Sequence, residues 1–511
     1  MTMKKILLSG KLLLVGIFLT VFNNACTDLT ETTYDQIESK DFLKTEEEII
    51  AAVGAAYTSL YGFMNHNTIF TIQEITTDEM VIPHRGADWL DGGQLLRLHY
   101  HTHNPKEDGF NNAWKFCFGG VATCNRLLET LTSADPKLAA KFTSELKVLR
   151  ALYYYWLCDL FGNVPIVTAF SKAEATPATK TRAEVVTFIE SELKTNVPLL
   201  DKSRNYGRMT FYAGQAILAK LYLNSEAYGS AKKYTECIAA CDEIIASGLF
   251  KIEDNYKANF TFNNDASLEN ILVVPYDATF AQGFNLVQMT LHYQSQNTFE
   301  TQEQPWNGYC SLSEFYNSYD STDTRRANNF LAGQQFSSKG VALNDDQADD
   351  PDGKPLKFTP ELNQLEPNCY RQAGARVSKY TYKLGSTRNL DNDFPIFRYA
   401  DILMMKAEAK WRAAGAPATY ADAEALKAFN DVRKRAGVSA LTSLTPANML
   451  AERGREMFAE AYRRQDMIRF GAYTKPFQYK TGTDKACATI FPIPDPQINA
   501  NKSLVQNECY K

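Results

Sequence analysis

Two loops in this chain carry side chains suited to holding a flat, hydroxyl-rich molecule. The first is Arg85-Gly86-Ala87-Asp88-Trp89-Leu90-Asp91-Gly92-Gly93. Sugars present flat C–H faces, and an aromatic ring packs on such a face while Asp, Asn and Arg side chains bond the hydroxyls. Trp89 is therefore the leading candidate, with Asp88, Asp91 and Arg85 as polar partners. The competing reading is a tryptophan that pins its own loop. The second loop is Glu303-Gln304-Pro305-Trp306-Asn307-Gly308-Tyr309, placed just before a helix expected at Ser313. Trp306 and Tyr309 are candidate stacking residues there, and Asn307 a hydroxyl partner if Trp306 stacks. A purely structural loop is the alternative.

Other clusters could do different chemistry. His99, His101 and His103 alternate. On a strand they would share one face, as a metal chelate needs. No carboxylate or cysteine at suitable spacing completes a zinc site, so hydrogen-bonded histidines are expected, with Tyr100 beside them as a ligand contact. Asp345, Asp346, Asp349, Asp350 and Asp352 form an acidic loop. Its spacing is not that of an EF-hand, and a solvated loop is expected over a calcium site. Glu452, Glu456, Glu460 and Arg464 recur every four residues. On one helix face this would make a structural network, with a Glu460–Arg464 ion pair. No cofactor or metal is expected. The sequence has no G-x-S-x-G, H-E-x-x-H, Walker A or G-x-G-x-x-G motif. A glycosidase carboxylate pair needs no fixed spacing, so a degrading enzyme stays as an alternative.

These loops need a scaffold, and the pattern around them is helical. Thr45 with Glu48 and Thr181 with Glu184 read as capping boxes. The first helix would bury Ile50, Val53, Tyr57 and Leu60. Asp135-Pro136 opens a helix whose stripe is Phe142, Leu146, Leu149, Tyr153, Trp156 and Leu160, stopping at Gly162. Helices over 210–225 and 230–247 have the combined size of a tetratricopeptide-type hairpin. Residues 255–395 are loop-rich, with Ile271–Pro275 and Lys379–Leu384 as possible strands. Helices resume over 400–414, 419–436 and 446–470.

The chain has 511 residues and a formal net charge of -5. That length predicts two or more packed subdomains, and the acidic balance argues against a general nucleic-acid binder. At the start, Lys4, Lys5 and Lys11 precede the apolar run Leu12 to Phe22. This reads as a signal peptide, because a membrane span needs about 20 residues. Cleavage after Ala25 would leave Cys26 at the new N-terminus, as in a bacterial lipobox. Asn23 and Asn24 depart from the usual lipobox residues. Nine further cysteines follow, an odd number with no CxxC. Apolar packing is expected for most of them.

Tyr153-Tyr154-Tyr155-Trp156-Leu157 followed by Leu160-Phe161-Gly162-Asn163-Val164-Pro165 resembles a hallmark of SusD/RagB-like nutrient-binding lipoproteins. So does Arg398-Tyr399-Ala400-Asp401-Ile402-Leu403-Met404-Met405-Lys406-Ala407-Glu408-Ala409. Asn430-Asp431-Val432-Arg433-Lys434-Arg435-Ala436-Gly437, the Glu452-to-Arg469 block and Phe491-Pro492-Ile493-Pro494 follow in the same order. The ending through Gln506-Asn507 to Tyr510 is similar too, although Glu508-Cys509 stands where the family has Pro-Gly.

The resemblance implies a mainly α fold of about four tetratricopeptide-like helix pairs, with a loop-rich ligand-binding part and minor β. It implies a non-catalytic, surface-exposed outer-membrane lipoprotein, lipidated at Cys26. Its partner would be a SusC-type TonB-dependent transporter, and its ligand an oligosaccharide or polysaccharide. Peptide capture of the RagB kind is the alternative. The implied layout is a signal peptide over 1–25, a tether over 26–40 and a helical region over 41–254. A loop-rich insert over 255–397 follows, then a second helical region over 398–475 and an irregular tail over 476–511.

Overall fold

Local signals set the helix starts. Thr45 Oγ1 accepts the Glu48 N–H at 3.2 Å, and the Glu48 carboxylate accepts the Thr45 N–H at 3.2 Å, closing the expected capping box. The helix Glu46–Thr58 follows. Its buried face is Ile49, Val53, Ala56 and Tyr57, whereas Ile50 is exposed. Val53, Tyr57 and Leu60 are buried as expected, and only Ile50 is replaced on that face, by Ile49. The second box, Thr181 with Glu184, caps Arg182–Asn196. Asp135 accepts from the N–H groups of Lys137 and Leu138 and opens Pro136–Leu160, with Pro136 in the first turn. There proline loses no hydrogen bond, because that N–H has no partner within the helix.

The computed structural model describes residues 43–511. The expected signal peptide, Cys26 and the expected tether lie outside the described residues. The fold is mainly α, with 17 α-helices among the described residues and little strand. Long helices pack in series. Asp108–Thr130 lies against Pro136–Leu160, which in turn lies against Arg182–Asn196. Phe211–Asn224 packs on Tyr234–Ala246. The chain then leaves the stack for some 150 residues and returns as Tyr399–Ala413, which packs on Tyr234–Ala246 and on Ala423–Arg435. Pro136–Leu160 is buried almost all round from Ser144 onward because it has helices on both sides. Gly120 permits one close approach there. A Cβ at that position would sit 2.2 Å from the Tyr153 ring.

The excursion is fastened at its two ends. Strand Asn270–Val274 pairs antiparallel with Phe394–Arg398, Asn270 opposite Arg398 and Val274 opposite Phe394, and all ten residues are buried. Lys379–Leu384, read as a possible strand, is not one. A second ladder pairs Met80–Val81 with Cys310–Ser311. It sets the chain leaving Val81 beside the chain entering Cys310, so the two tryptophan loops emerge as neighbours. Residues 43–511 form one unit rather than the several subdomains expected from length.

The helix expected over 446–470 is two, Pro446–Met457 and Arg463–Arg469. Between them Ala459 (φ 57°) and Ala461 (φ 62°) take left-handed conformations. The break frees backbone groups for distant partners. Lys379 Nζ donates to the carbonyls of Glu456 at 3.0 Å and Phe458 at 2.7 Å, and the Ala461 N–H donates to Glu74. Glu460 therefore does not pair with Arg464. It meets Arg398 at 2.6 Å and Lys379 at 2.5 Å, while Arg464 binds Asp159 at 2.9 Å. Glu452 and Glu456 are likewise enclosed, by Arg325 at 2.7 and 3.1 Å. The network is structural, as its buried guanidinium–carboxylate pairing requires.

Among the described residues seven cysteines are free and buried, and Cys487 forms a disulfide with Cys509 across 22 residues. The departure from Pro-Gly at 508–509 thus supplies one half of a covalent clasp on the tail.

Candidate functional site

Trp89 and Trp306 meet. The Trp89 indole N–H donates to the Trp306 carbonyl oxygen at 2.7 Å, and the ring centroids lie 6.3 Å apart at 57°. Trp89 is held on several sides. Its ring packs on Gly308, where a Cβ would come within 2.3 Å of it, and stands edge-on to Tyr309 at 5.9 Å. Its own backbone is left-handed, with φ 63°. Both indoles face the half-buried His66 ring edge-on, at 5.2 and 5.9 Å. Burial lowers the His66 pKa against the opposing pull of Asp91, which favours the neutral ring. Trp306 keeps 36% of its surface exposed and is the more open of the two tryptophans.

The loop is closed by short-range and long-range bonds. Arg85 and Asp88 exchange backbone hydrogen bonds at 3.1 Å, which makes a tight turn ahead of Trp89. Asp88 is exposed and accepts from the Tyr293 hydroxyl. The Arg371 guanidinium covers the Tyr293 ring at 4.6 Å and bonds Asp345 at 2.9 Å and Gln347 at 2.6 Å. Asp91 is exposed beside the aromatic pair. The surface therefore combines ring faces with carboxylates and amides, the two kinds of contact an amphipathic, hydroxylated ligand can use.

Three expected ligand contacts are buried and serve the frame instead. Tyr309 is fully buried, and its hydroxyl meets Thr71 Oγ1 at 2.6 Å. Asn307 is fully buried between the Arg376 guanidinium, at 2.7 Å, and the Arg371 carbonyl, at 3.0 Å. Arg85 points inward to the carbonyls of Tyr370 and Ala373. Each satisfies a buried polar group whose loss would be costly. Tyr100 is half-buried, with its hydroxyl 3.5 Å from Glu366, and burial first of all raises its pKa to about 12. It makes no ring contact with the tryptophan pair among the described contacts. Sequence reasoning missed His66, Tyr293 and Arg371, which no local motif marks.

The alternating histidines do not share a strand face. Gln94–His99 is helical, and the three rings have separate partners. His99 bonds the Ile75 and Gln478 carbonyls, His101 bonds Asp484 at 2.6 Å, and His103 bonds Tyr510 at 2.9 Å. Burial pushes His99 down to about 4 and His103 down to about 3. In the acidic loop Asp345 is buried, not solvated, because His292 and Arg371 hold it. Among the described residues no group of three or more His, Cys, Asp or Glu is placed to hold a metal. A cleft of about 650 Å³ opens elsewhere, floored by Ile245, Phe250 and Leu403. Its rim charges Lys410 and Glu424 pair at 2.5 Å, and none of the expected site residues lines it.

A stack of helical hairpins with a loop-rich insert, whose Trp306 meets Trp89 of an N-terminal loop, defines the architecture. The family comparison names it. One family model, described as "SusD family", matches residues 363–510, and another, "Starch-binding associating with outer membrane", matches residues 30–223. The chain belongs to the SusD/RagB-like family. It is 25% identical over 502 residues to the starch-binding protein SusD of Bacteroides thetaiotaomicron, covering 87% of this chain and 86% of that one. It is similar in fold to a laminarin-binding SusD-like protein, with TM-score 0.73 and 23% identity over 91% of this chain and all of the other. Surface glycan-binding protein A of Bacteroides thetaiotaomicron with laminarihexaose gives TM-score 0.69 and 23% identity, over 90% of this chain and 99% of the other.

Proposed function

We propose that the protein is a surface glycan-binding lipoprotein. It captures an oligosaccharide or polysaccharide at the Trp89–Trp306 platform and passes it to a SusC-type TonB-dependent transporter. The observation that carries the reading is the half-open indole pair, fixed by the Trp89–Trp306 hydrogen bond and flanked by Asp88 and Asp91. A sugar ring would lay its C–H face on Trp306, and the carboxylates would take its hydroxyls. Relatives named for starch and laminarin binding support the ligand class. The family description of outer-membrane association supports the location, with lipid on Cys26 as the anchor. No helix among the described residues is long and apolar enough to cross a membrane.

The protein acts by binding rather than bond-breaking. Glu452, Glu456 and Glu460, the carboxylates in a row, are buried under arginines and reach no open surface. Affinity electrophoresis against a polysaccharide panel tests the reading. Retardation by one glycan, lost in Trp306→Ala, is expected. Retardation by none, or release of reducing ends from a glycan, would overturn it. Co-purification of a TonB-dependent transporter with the full-length protein from outer membranes tests the partner.

A further inference from the structure

Large apolar side chains stand in solvent at a second place on the insert. Phe280 is 90% exposed, Leu384 60% and Phe262 41%. Burial cannot explain a phenylalanine this open, and its turn is firmly built. Asp277 and Ala281 exchange backbone hydrogen bonds at 3.1 and 3.2 Å, and the Asp277 carboxylate accepts from the N–H groups of Thr279 at 2.8 Å and Phe280 at 2.7 Å. Asp391 secures the turn from outside by accepting the Ala278 N–H at 2.9 Å. The same Asp391 pairs with Lys383 at 2.8 Å, and Lys383 Nζ lies 5.9 Å from the centroid of the Phe262 ring. The Lys383–Asp391 pair thus links the Phe280 turn to the Phe262 ring.

This zone is joined to the tryptophan platform by residues 383–391. On one side the Gln302 N–H donates to the Ser386 carbonyl at 3.0 Å, and the Arg388 N–H donates to the Glu303 carboxylate at 2.7 Å. Gln302 and Glu303 lead directly into Trp306. On the other side the Gly283 N–H donates to Asn389 Oδ1 at 3.1 Å, just after the Phe280 turn. Residues 383–391 are therefore hydrogen-bonded both to the chain leading into Trp306 and to the chain just after the Phe280 turn. Protein-docking patches have apolar cores depleted of charge. Here the charged Lys383–Asp391 pair belongs to the zone, with Lys383 near the Phe262 ring and Asp391 on the Phe280 turn. That mixture of ring faces and charge suits a chain that itself has apolar faces and hydroxylated edges.

We propose that Phe280 and Phe262 form a second glycan-contact zone, continuous with the Trp89–Trp306 platform through residues 383–391, so that the protein holds long chains more tightly than short ones. This inference rests on the glycan-binding reading of the platform. A ligand that spans only the platform gains nothing from the second zone, and one that reaches it gains two ring contacts.

Calorimetry with laminarin and laminaritriose, and with starch and maltotriose, tests it on the wild type, the Phe262→Ala/Phe280→Ala double variant and Trp306→Ala. The double variant is expected to weaken binding of the retained polymer about 5-fold or more and to leave the trisaccharide unchanged. Trp306→Ala is expected to weaken both. Both phenylalanines are exposed, so thermal melts should match the wild type. A double variant that binds polymer as the wild type does, or that loses polymer and trisaccharide equally, overturns the proposal while leaving the platform intact. A wild type that binds neither polymer and is retarded by no glycan of the panel sinks the platform reading and this one with it.

Discussion

The indole N–H of Trp89 donates to the main-chain carbonyl of Trp306, 217 residues further along the chain. One ring therefore positions the loop that carries the other. Trp89→Phe keeps an aromatic ring and removes this bond, whereas Trp89→Ala removes both. Glycan affinity should fall about 3-fold for the first and about 10-fold or more for the second, by the magnitudes of a net hydrogen bond and an aromatic contact. Calorimetry with the retained glycan measures both. Equal affinities for the wild type and Trp89→Ala would remove Trp89 from the site.

Gly308 offers a test that leaves every ring in place. A methyl group there would fall 2.3 Å from the Trp89 ring and 2.9 Å from the Met289 carbonyl oxygen. Gly308→Ala should displace Trp89 and lower glycan affinity nearly as far as Trp89→Ala does. Tryptophan fluorescence should shift as well. An unchanged emission spectrum with unchanged binding would show that the loop adapts at no cost.

Much of the scaffold was legible because helix starts are local chemistry. Thr45, Asp135 and Thr181 mark their helices from the sequence alone, and the Pro136–Leu160 stripe is buried as read. The break after Met457 was not legible. Alanine favours helix, and nothing in the sequence announces that Ala459 and Ala461 are left-handed. Tertiary partners such as Lys379 and Glu74 impose that shape. The site divides in the same way. Aromatic residues in Gly- and Pro-bounded loops were recognisable, but which ring stays open was not. Tyr309 and Trp306 look alike in sequence, and tertiary packing separates them, with Thr71, Phe70 and Trp89 enclosing Tyr309.

Arg398 should be among the costliest side chains to lose. It bonds Glu460 at 2.6 and 2.7 Å, Glu456 at 3.1 Å and also Glu269, all fully buried. Burial opposes ionisation of Glu456, yet Arg435, Arg398 and Arg325 outweigh it and hold that carboxyl well below its usual range. Arg398→Met would strand these charges at a cost of about 3–5 kcal/mol. Chemical denaturation should show the loss, or the variant should fail to accumulate in soluble form. A midpoint within error of wild type would contradict the network.

The pair Glu74 and Glu79 predicts an opposite pH response. Burial foremost raises Glu74 to about 7, against the Ala461 N–H and Lys379 and with help from Glu460. Burial, then Glu74 and Asp78, raises Glu79 against Arg463 and Lys379. A carboxyl raised on folding favours the fold when protonated. Its contribution is complete below the unfolded value of about 4.3 and is lost as pH rises through about 7. Glu74→Gln imitates the protonated form, so it should raise the melting temperature at pH 8 and change it little at pH 4. Equal shifts at both pH values would refute the assignment.

The ladder between Asn270–Val274 and Phe394–Arg398 limits how this molecule can be divided. The insert looks like a removable cassette in sequence, yet its last strand runs into Arg398, whose guanidinium closes on Glu269 beside its first strand. A cut at 397 would sever the strand and expose a carboxylate that has lost its cation. Specificity transplanted from a relative should therefore travel as surface loops between these two strands, with both strands retained from the recipient.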